Sequence, residues 1–410
     1  MWKKPWKLSE GVFICIGLII IGLVLQFTIG YIKWESFAKP INIIILAVYL
    51  LALCLLYIFR KKIYFVQWAM TYTAAIPSLV FIVGITIILG VTRQVSADVA
   101  PTDFVGLSKM LSFWPFVLLY WWMATILGLV SIRYIHLFKW KKIPFICNHL
   151  GMFIAIVCGT LGSADMQRLT MNTKIGETEW RAIDKSGKIH ELPLAIELKE
   201  FTIDEYPPKL MVISNATGKT LPSGKPEHLL LDENISEGNV ANWNIQILDK
   251  IEFAASTATK DTVKYVEWPN VGATYAAHIR AISSNKNIIR EGWVSCGSFM
   301  FPYQALKLDS LCSVVMPDRE PKRFLSNVEI YTQSGKKINS NIEVNKPADV
   351  EGWKIYQLSY DEVKGAWSDV SVFELVSDPW LPWVYVGIIM MIVGAVFMFV
   401  LSNRVKEEVK

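Results

Sequence analysis

Six stretches of this sequence contain no Asp, Glu, Lys or Arg: Gly11–Gly30, Ile41–Phe59, Tyr72–Thr92, Phe113–Ile132, Ile143–Ala164 and Leu381–Leu401. A helix needs about 20 apolar residues to cross a hydrocarbon core ~30 Å thick. Each stretch meets that requirement, and a soluble core does not call for six such blocks. The composition agrees, because only 19% of residues are charged against about 25% in ordinary soluble domains. Six cysteines in 410 residues are too sparse for a disulfide-stapled scaffold. A 12% aromatic content excludes a disordered chain. The net charge of +5 forms no basic patch interleaved with aromatics, so no nucleic-acid partner is expected.

Basic residues orient the spans, since they accumulate on the cytoplasmic side. Thirteen fall on one face: Lys3, Lys4 and Lys7; Arg60, Lys61 and Lys62; Arg133, Lys139, Lys141 and Lys142; Arg404, Lys406 and Lys410. The short loops of the other face carry four, Lys33, Lys39, Arg93 and Lys109. An even number of spans puts both termini on one side, which the charges make cytoplasmic. Tryptophans including Trp6, Trp34, Trp114, Trp140 and Trp380 fall near span ends, as an interfacial belt requires. The first apolar block exceeds a signal-peptide core and reads as a permanent anchor.

The chain therefore divides into a five-helix membrane region (1–164), an extracytoplasmic region (165–378) and a final helix with a cytoplasmic tail (379–410). In the middle region apolar residues alternate, as in Leu194, Ile196 and Leu198, or Tyr356, Leu358 and Tyr360. Lys209–Ile213, Trp243–Leu248, Val263–Trp268, Val314–Met316 and Val370–Leu375 also read as strands. Tyr206-Pro207-Pro208, Asn215 to Gly218 and Ser334-Gly335 supply turns. The expected fold class is a six-helix transmembrane bundle with a large all-β, sandwich-like extracytoplasmic domain between the fifth and sixth helices. Such a domain is large enough to bury its own core.

Signatures of catalysis are missing: there is no G-x-S-x-G, P-loop, H-E-x-x-H or C-x-x-C. Of the five histidines, His136, His149, His190, His228 and His278, no pair has zinc-ligand spacing. His149 alone lies within a span. It sits about six residues, roughly 9 Å, into the fifth helix. A polar ring at that depth needs a partner, and a neutral imidazole is a natural axial ligand for haem iron. A hydrogen bond to a neighbouring helix would satisfy it equally well. Gly151, Gly159 and Gly162 allow close approach of another helix or of a flat macrocycle. His136 reads as part of the solvated basic loop, and His190, His228 and His278 as surface or strand residues. Cys15, Cys54, Cys147 and Cys158 read as apolar fillers of the spans. Cys296 and Cys312 leave either a disulfide or two thiols open.

Several segments, in order, carry a resemblance. Asn148-His149-Leu150-Gly151 leads into Gly162-Ser163-Ala164-Asp165-Met166-Gln167-Arg168-Leu169. Leu192-Pro193-Leu194-Ala195-Ile196 follows, then Tyr206-Pro207-Pro208-Lys209, Val344-Asn345-Lys346-Pro347 and Gly352-Trp353. Asp378-Pro379-Trp380-Leu381-Pro382 opens the last helix. From about residue 143 to 401 the chain resembles the ResB (CcsB) family of system II cytochrome c maturation. The resemblance implies a bacterial cytoplasmic-membrane subunit that works with a CcsA (ResC) partner. Together they would move haem b across the membrane and support its attachment to CxxCH motifs of apocytochrome c clients. It implies His149 as the haem-binding residue and axial ligand to the haem iron. As an enzyme the chain would be at most the non-synthetase subunit of a haem lyase complex. Two features depart from the family pattern. The chain has six expected helices where about four are common. It also lacks the W-x-W-D segment of the CcsA half, since Trp121-Trp122 is followed by Met123.

Two other readings compete. One is a membrane-anchored scaffold or receptor whose β domain binds a partner protein without binding haem. The other is a small-solute transporter, which the absence of intramembrane charges disfavours.

Overall fold

The computed structural model describes residues 2–95, 99–232, 234–258, 263–285 and 287–407, with only the backbone given for 401–407. Lys410, counted above in the basic tail, lies outside the described residues. The chain forms two compact units, Met1–Gln167 with Ser377–Lys410, and Arg168–Val376.

The first unit is helical. Its elements are α1 (Leu8–Ile29), α2 (Ile41–Ile58), the short α3 (Tyr64–Ala69), α4 (Tyr72–Val91), α5 (Trp114–His136), α6 (Ile143–Gly162) and α7 (Leu381–Glu407). Six of these, all but α3, are long and apolar enough to cross a membrane, and the chain is a multi-pass membrane protein. The α5 span is the hub. Of its apolar window 61% is buried, against 11–28% for the other spans. It runs one turn beyond the expected Ile132, to His136. Arg133 and His136 in that last turn complement the helix dipole and favour the extension. Within α4, Pro77 cannot donate to the carbonyl of Thr73. Gly11 of α1 packs over that freed carbonyl, where a Cβ would stand 2.7 Å from the Thr73 oxygen. Glycine is what lets α1 and α4 meet there.

The second unit is entirely β apart from a single 3-10 turn, Gly365–Trp367, among the described residues. Its largest sheet has eight strands, in the order Lys337–Glu343, Pro321–Thr332, Ile189–Glu205, Thr178–Ile183, Gln167–Lys174, Val370–Ser377, Trp353–Tyr360 and Ala348–Val350. The first and last strands of the domain are thus neighbours. Lys337–Glu343 at one edge touches Trp353–Tyr360 and Ala348–Val350 at the other, so the sheet curls nearly into a barrel. Ile196, Leu198, Val328, Ile355, Phe373 and Leu375, none of them solvent-accessible, fill its interior. Register shifts drive the curl. Val328 pairs with Leu198 while Asn327 pairs with Glu200, so Lys199 is an extra residue. That insertion changes the phase of the strand. Leu194, Ile196 and Leu198 point inward on one parity, and Phe201 is buried on the other.

The remainder of the unit is the sandwich-like part. A five-stranded sheet is built on Trp243–Ala258 and Thr274–Ser283, and a four-stranded sheet on Lys209–Ser214 and Cys312–Val315. Leu210, Val212, Ile245, Ile279 and Val314 form their shared core. The sandwich expectation therefore describes one part of the domain. The other is the curled sheet, which alternation alone does not reveal because the two share the same period.

Candidate functional site

His149 projects from α6 on the strip shared with Phe145, one turn earlier, and Phe153, one turn later. Its imidazole stacks on the Phe145 ring at 3.7 Å between centroids and 21° between planes. Phe145 in turn packs against Tyr134 of α5 at 4.3 Å. These rings fix the plane of the imidazole. Its Nδ1 lies 3.0 Å from the Phe145 carbonyl oxygen. A carbonyl only accepts, so Nδ1 carries the proton and Nε2 presents its lone pair. Among the described residues nothing engages Nε2, and the side chain is half-buried. Metal-bound histidines are commonly held this way, with one ring nitrogen donating to a carbonyl and the other left for the metal. The arrangement fits an iron ligand.

The glycines on α6 do not face an open space at this level. A Cβ on Gly151 would lie 2.5 Å from the Gly387 oxygen of α7, and one on Gly162 2.5 Å from the Trp380 Cβ. Reciprocally, a Cβ on Gly394 would lie 2.7 Å from the Pro144 oxygen. The α6–α7 seam is a small-residue helix contact. Only Gly159 has room, since a Cβ there would stand 4.0 Å from Val384 Cγ2.

Just beyond α6, Asp165 gathers three donors. Its Oδ2 accepts from Trp380 Nε1 at 2.6 Å and from Asn42 Nδ2 at 2.8 Å. Its Oδ1 accepts from the Lys39 backbone N–H at 2.8 Å. Burial pushes the Asp165 carboxyl up, but the hydrogen bonds from Asn42, Trp380 and Lys39 outweigh it and hold the group below the usual aspartate range. In the sequence Asp165 and Trp380 belong to two separate motifs, and nothing in either joins them. An acidic residue directly after one span and a tryptophan directly before another were the available signal.

The other sequence candidates lie apart from His149 in role. His136, exposed at the end of α5, meets the ring of Tyr57 edge-on at 5.8 Å, and Arg60 lies over the same ring at 4.0 Å. His190 pairs with Asp184 at 2.7 Å, and His278 stacks on Trp293 at 5.0 Å. His228 is exposed on the short strand His228–Leu230. Cys296 and Cys312 are free thiols. Burial pushes both up, so neither is a ready thiolate.

No curated protein matches the chain. The model of the ResB-like family matches residues 283–368, within the β domain inserted between the fifth and sixth spans. That segment of the β domain is thus similar to the ResB-like family, in a chain that also carries six apolar helices.

Proposed function

We propose that this chain is the haem-handling subunit of a cytochrome c maturation system, working with a CcsA/ResC-like membrane partner. The similarity of residues 283–368 to the ResB-like family supports a role in cytochrome c biogenesis. The finer reading rests on one observation: His149 holds its proton on Nδ1 against the Phe145 carbonyl, which leaves the Nε2 lone pair without a partner among the described residues. Haem b, as cargo, supplies the iron and the porphyrin that end in the client cytochrome.

The chain's own residues hold and orient the ligand. The Phe145 oxygen fixes the tautomer, and the Tyr134–Phe145–His149 stack fixes the ring plane. Because α7 closes the Gly151 face of α6, haem would have to reach the His149 imidazole from another side of the helix. The setting is the bacterial cytoplasmic membrane, with both termini cytoplasmic and residues 165–378 outside. Apocytochrome c is the client.

The test is His149→Gly in the complex purified with its partner. The Soret band and client maturation should both fall, the protein should still insert, and free imidazole should restore part of each. His190→Gly and His228→Gly should leave both unchanged. A Soret band and maturation unaltered by His149→Gly would reduce the histidine to a packed helix contact and leave the scaffold reading in its place.

A further inference from the structure

Within the β domain lies a cavity of about 540 Å³, in the size range of ligand sites. Its lining comes largely from residues between Cys296 and Trp367, inside the segment matched by the family model. Two properties of that lining define a ligand.

The first is aromatic. Tyr275, Phe301, Tyr360 and Trp367 all contribute to the walls. Trp367 is held in place by its Nε1, which donates to the Ala273 carbonyl at 3.0 Å, and by an edge contact with Phe253 at 6.1 Å. Fixed rings attract cations through their faces and pack against methylene chains.

The second is charge. Four carboxylates line the cavity, Glu205, Glu252, Asp318 and Glu362, against two cations, Arg319 and Lys364. Both cations are already engaged. Arg319 Nη1 pairs with Glu205 Oε2 at 3.1 Å, and its Nε donates to the Tyr206 carbonyl at 3.3 Å. Lys364 pairs with Asp369 and lies 4.0 Å from Asp361. Glu252, Asp318 and Glu362 are exposed and have no ion pair among the described residues. The cavity thus keeps uncompensated negative charge beside its rings.

Haem would fit the volume but not the charge. Its propionates would meet unpaired carboxylates, and like charges in a site repel. Among the described residues no histidine lines the cavity. Cys296 is at its wall, but burial pushes that thiol up, which leaves it neutral. What suits these walls is a cation on a long apolar stem. The stem packs on the rings, and the head reaches the carboxylates. Lysine and arginine have that form, and the cavity has room for flanking residues as well.

We infer that this cavity is a docking site for a basic segment of another polypeptide, with a lysine or arginine side chain inserted between the aromatic walls and the Glu252, Asp318 and Glu362 carboxylates. The inference does not depend on haem binding at His149.

The experiment measures binding to the full-length chain in detergent by fluorescence anisotropy. The probe is a labelled nine-residue Gly/Ser peptide with three lysines, compared with its lysine-to-glutamine counterpart. The lysine peptide should bind more tightly, and its affinity should fall as salt rises from about 0.05 to about 0.5 M. Glu252→Gln, Asp318→Asn and Glu362→Gln should each weaken it roughly two- to fivefold, the range for exposed charge pairs, and the triple variant by more. Should the triple variant not fold, Val363→Arg serves instead. That residue is 79% exposed at the cavity wall, and the added cation should weaken the lysine peptide. His149→Gly should bind the peptide as the parent does. Equal binding of the two peptides, or a triple or Val363→Arg variant with parent affinity, overturns the site. Spermidine binding as tightly as the peptide overturns the polypeptide occupant. A haemin Soret shift that the triple variant abolishes overturns the charge argument.

Discussion

Asp165 accepts a 2.6 Å hydrogen bond from the indole of Trp380, a residue 215 positions later in the chain. The same carboxylate oxygen accepts from Asn42 of α2 at 2.8 Å. One side chain at the end of α6 therefore ties α2 to the start of α7. The α6–α7 seam of Gly151, Gly387 and Gly394 continues from that tie along the helices.

Removing the acceptor should loosen the bundle. Hydrogen bonds to a charged group contribute about 1.5–3 kcal/mol each, and orphaned donors add their own cost. Asp165→Ala should therefore destabilise the detergent-solubilised protein by about 2–4 kcal/mol, and Trp380→Phe by about 1–3 kcal/mol. The double variant should cost less than the two added together, because both remove the same contact. Strict additivity in thermal unfolding would show that the pair does not couple.

The same residue gives a pH dependence. Asp165 titrates lower in the fold than its ordinary value, so the folded state binds fewer protons than the unfolded state near that value. Its stabilisation is whole above the ordinary aspartate range, about 3.9, and is lost as pH falls through the lower folded value. The stability gap between the parent and Asp165→Asn should hold from about pH 7 to about pH 5 and shrink below about pH 4. A gap that widens on acidification would contradict the hydrogen-bond account.

Much of this was legible in the sequence, because the membrane imposes a length and a composition that a single chain displays openly. Ile41 and Tyr72 begin their helices where the apolar blocks begin. The strand through Leu194, Ile196 and Leu198 announces itself by alternation. The curled sheet did not, because the register shifts that bend it, such as the extra residue Lys199, show only against the partner strand. The short helix Tyr64–Ala69 is too brief to carry a period. At the site, His149 stood out by depth alone, but its tautomer depends on the Phe145 carbonyl, which only the helix geometry brings within 3.0 Å. The Asp165–Trp380 contact was hidden by the separation of its partners along the chain.

The glycine seam predicts opposite fates for two similar changes. Gly151→Val places its Cβ against a backbone oxygen that cannot move aside, and overpacking of this kind costs about 1–3 kcal/mol. Gly159→Ala meets only Val384 at 4.0 Å and gains helix propensity, so it should be neutral or slightly stabilising. Thermal unfolding of both variants in one detergent is the check, and equal effects would refute the seam.

Inside the curled sheet, Phe373 has no exposed surface. Phe373→Ala should cost about 3–5 kcal/mol, the usual loss when a buried aromatic is truncated. Leu311, 74% exposed, should tolerate Leu311→Ala within about 0.5 kcal/mol. Protease resistance of the full-length protein should fall for the first variant and not for the second.

The orientation follows from charge and is tested by labelling. Arg133, Lys139, Lys141 and Lys142 cluster between α5 and α6, whereas the loop between α1 and α2 carries only Lys33 and Lys39. Basic clusters resist translocation, so the α5–α6 loop should be cytoplasmic and the β domain outside. In a chain whose six native cysteines are replaced, Lys185→Cys lies in the exposed turn after Thr178–Ile183 and Lys141→Cys in the α5–α6 loop. A membrane-impermeant maleimide added to intact cells should label the first at once and the second only after permeabilisation. Lys141→Cys labelled in intact cells, with Lys185→Cys protected, would invert the topology and place the β domain in the cytoplasm. It would also set His149 in the outer rather than the inner half of the bilayer, since six residues separate it from the start of α6 at Ile143.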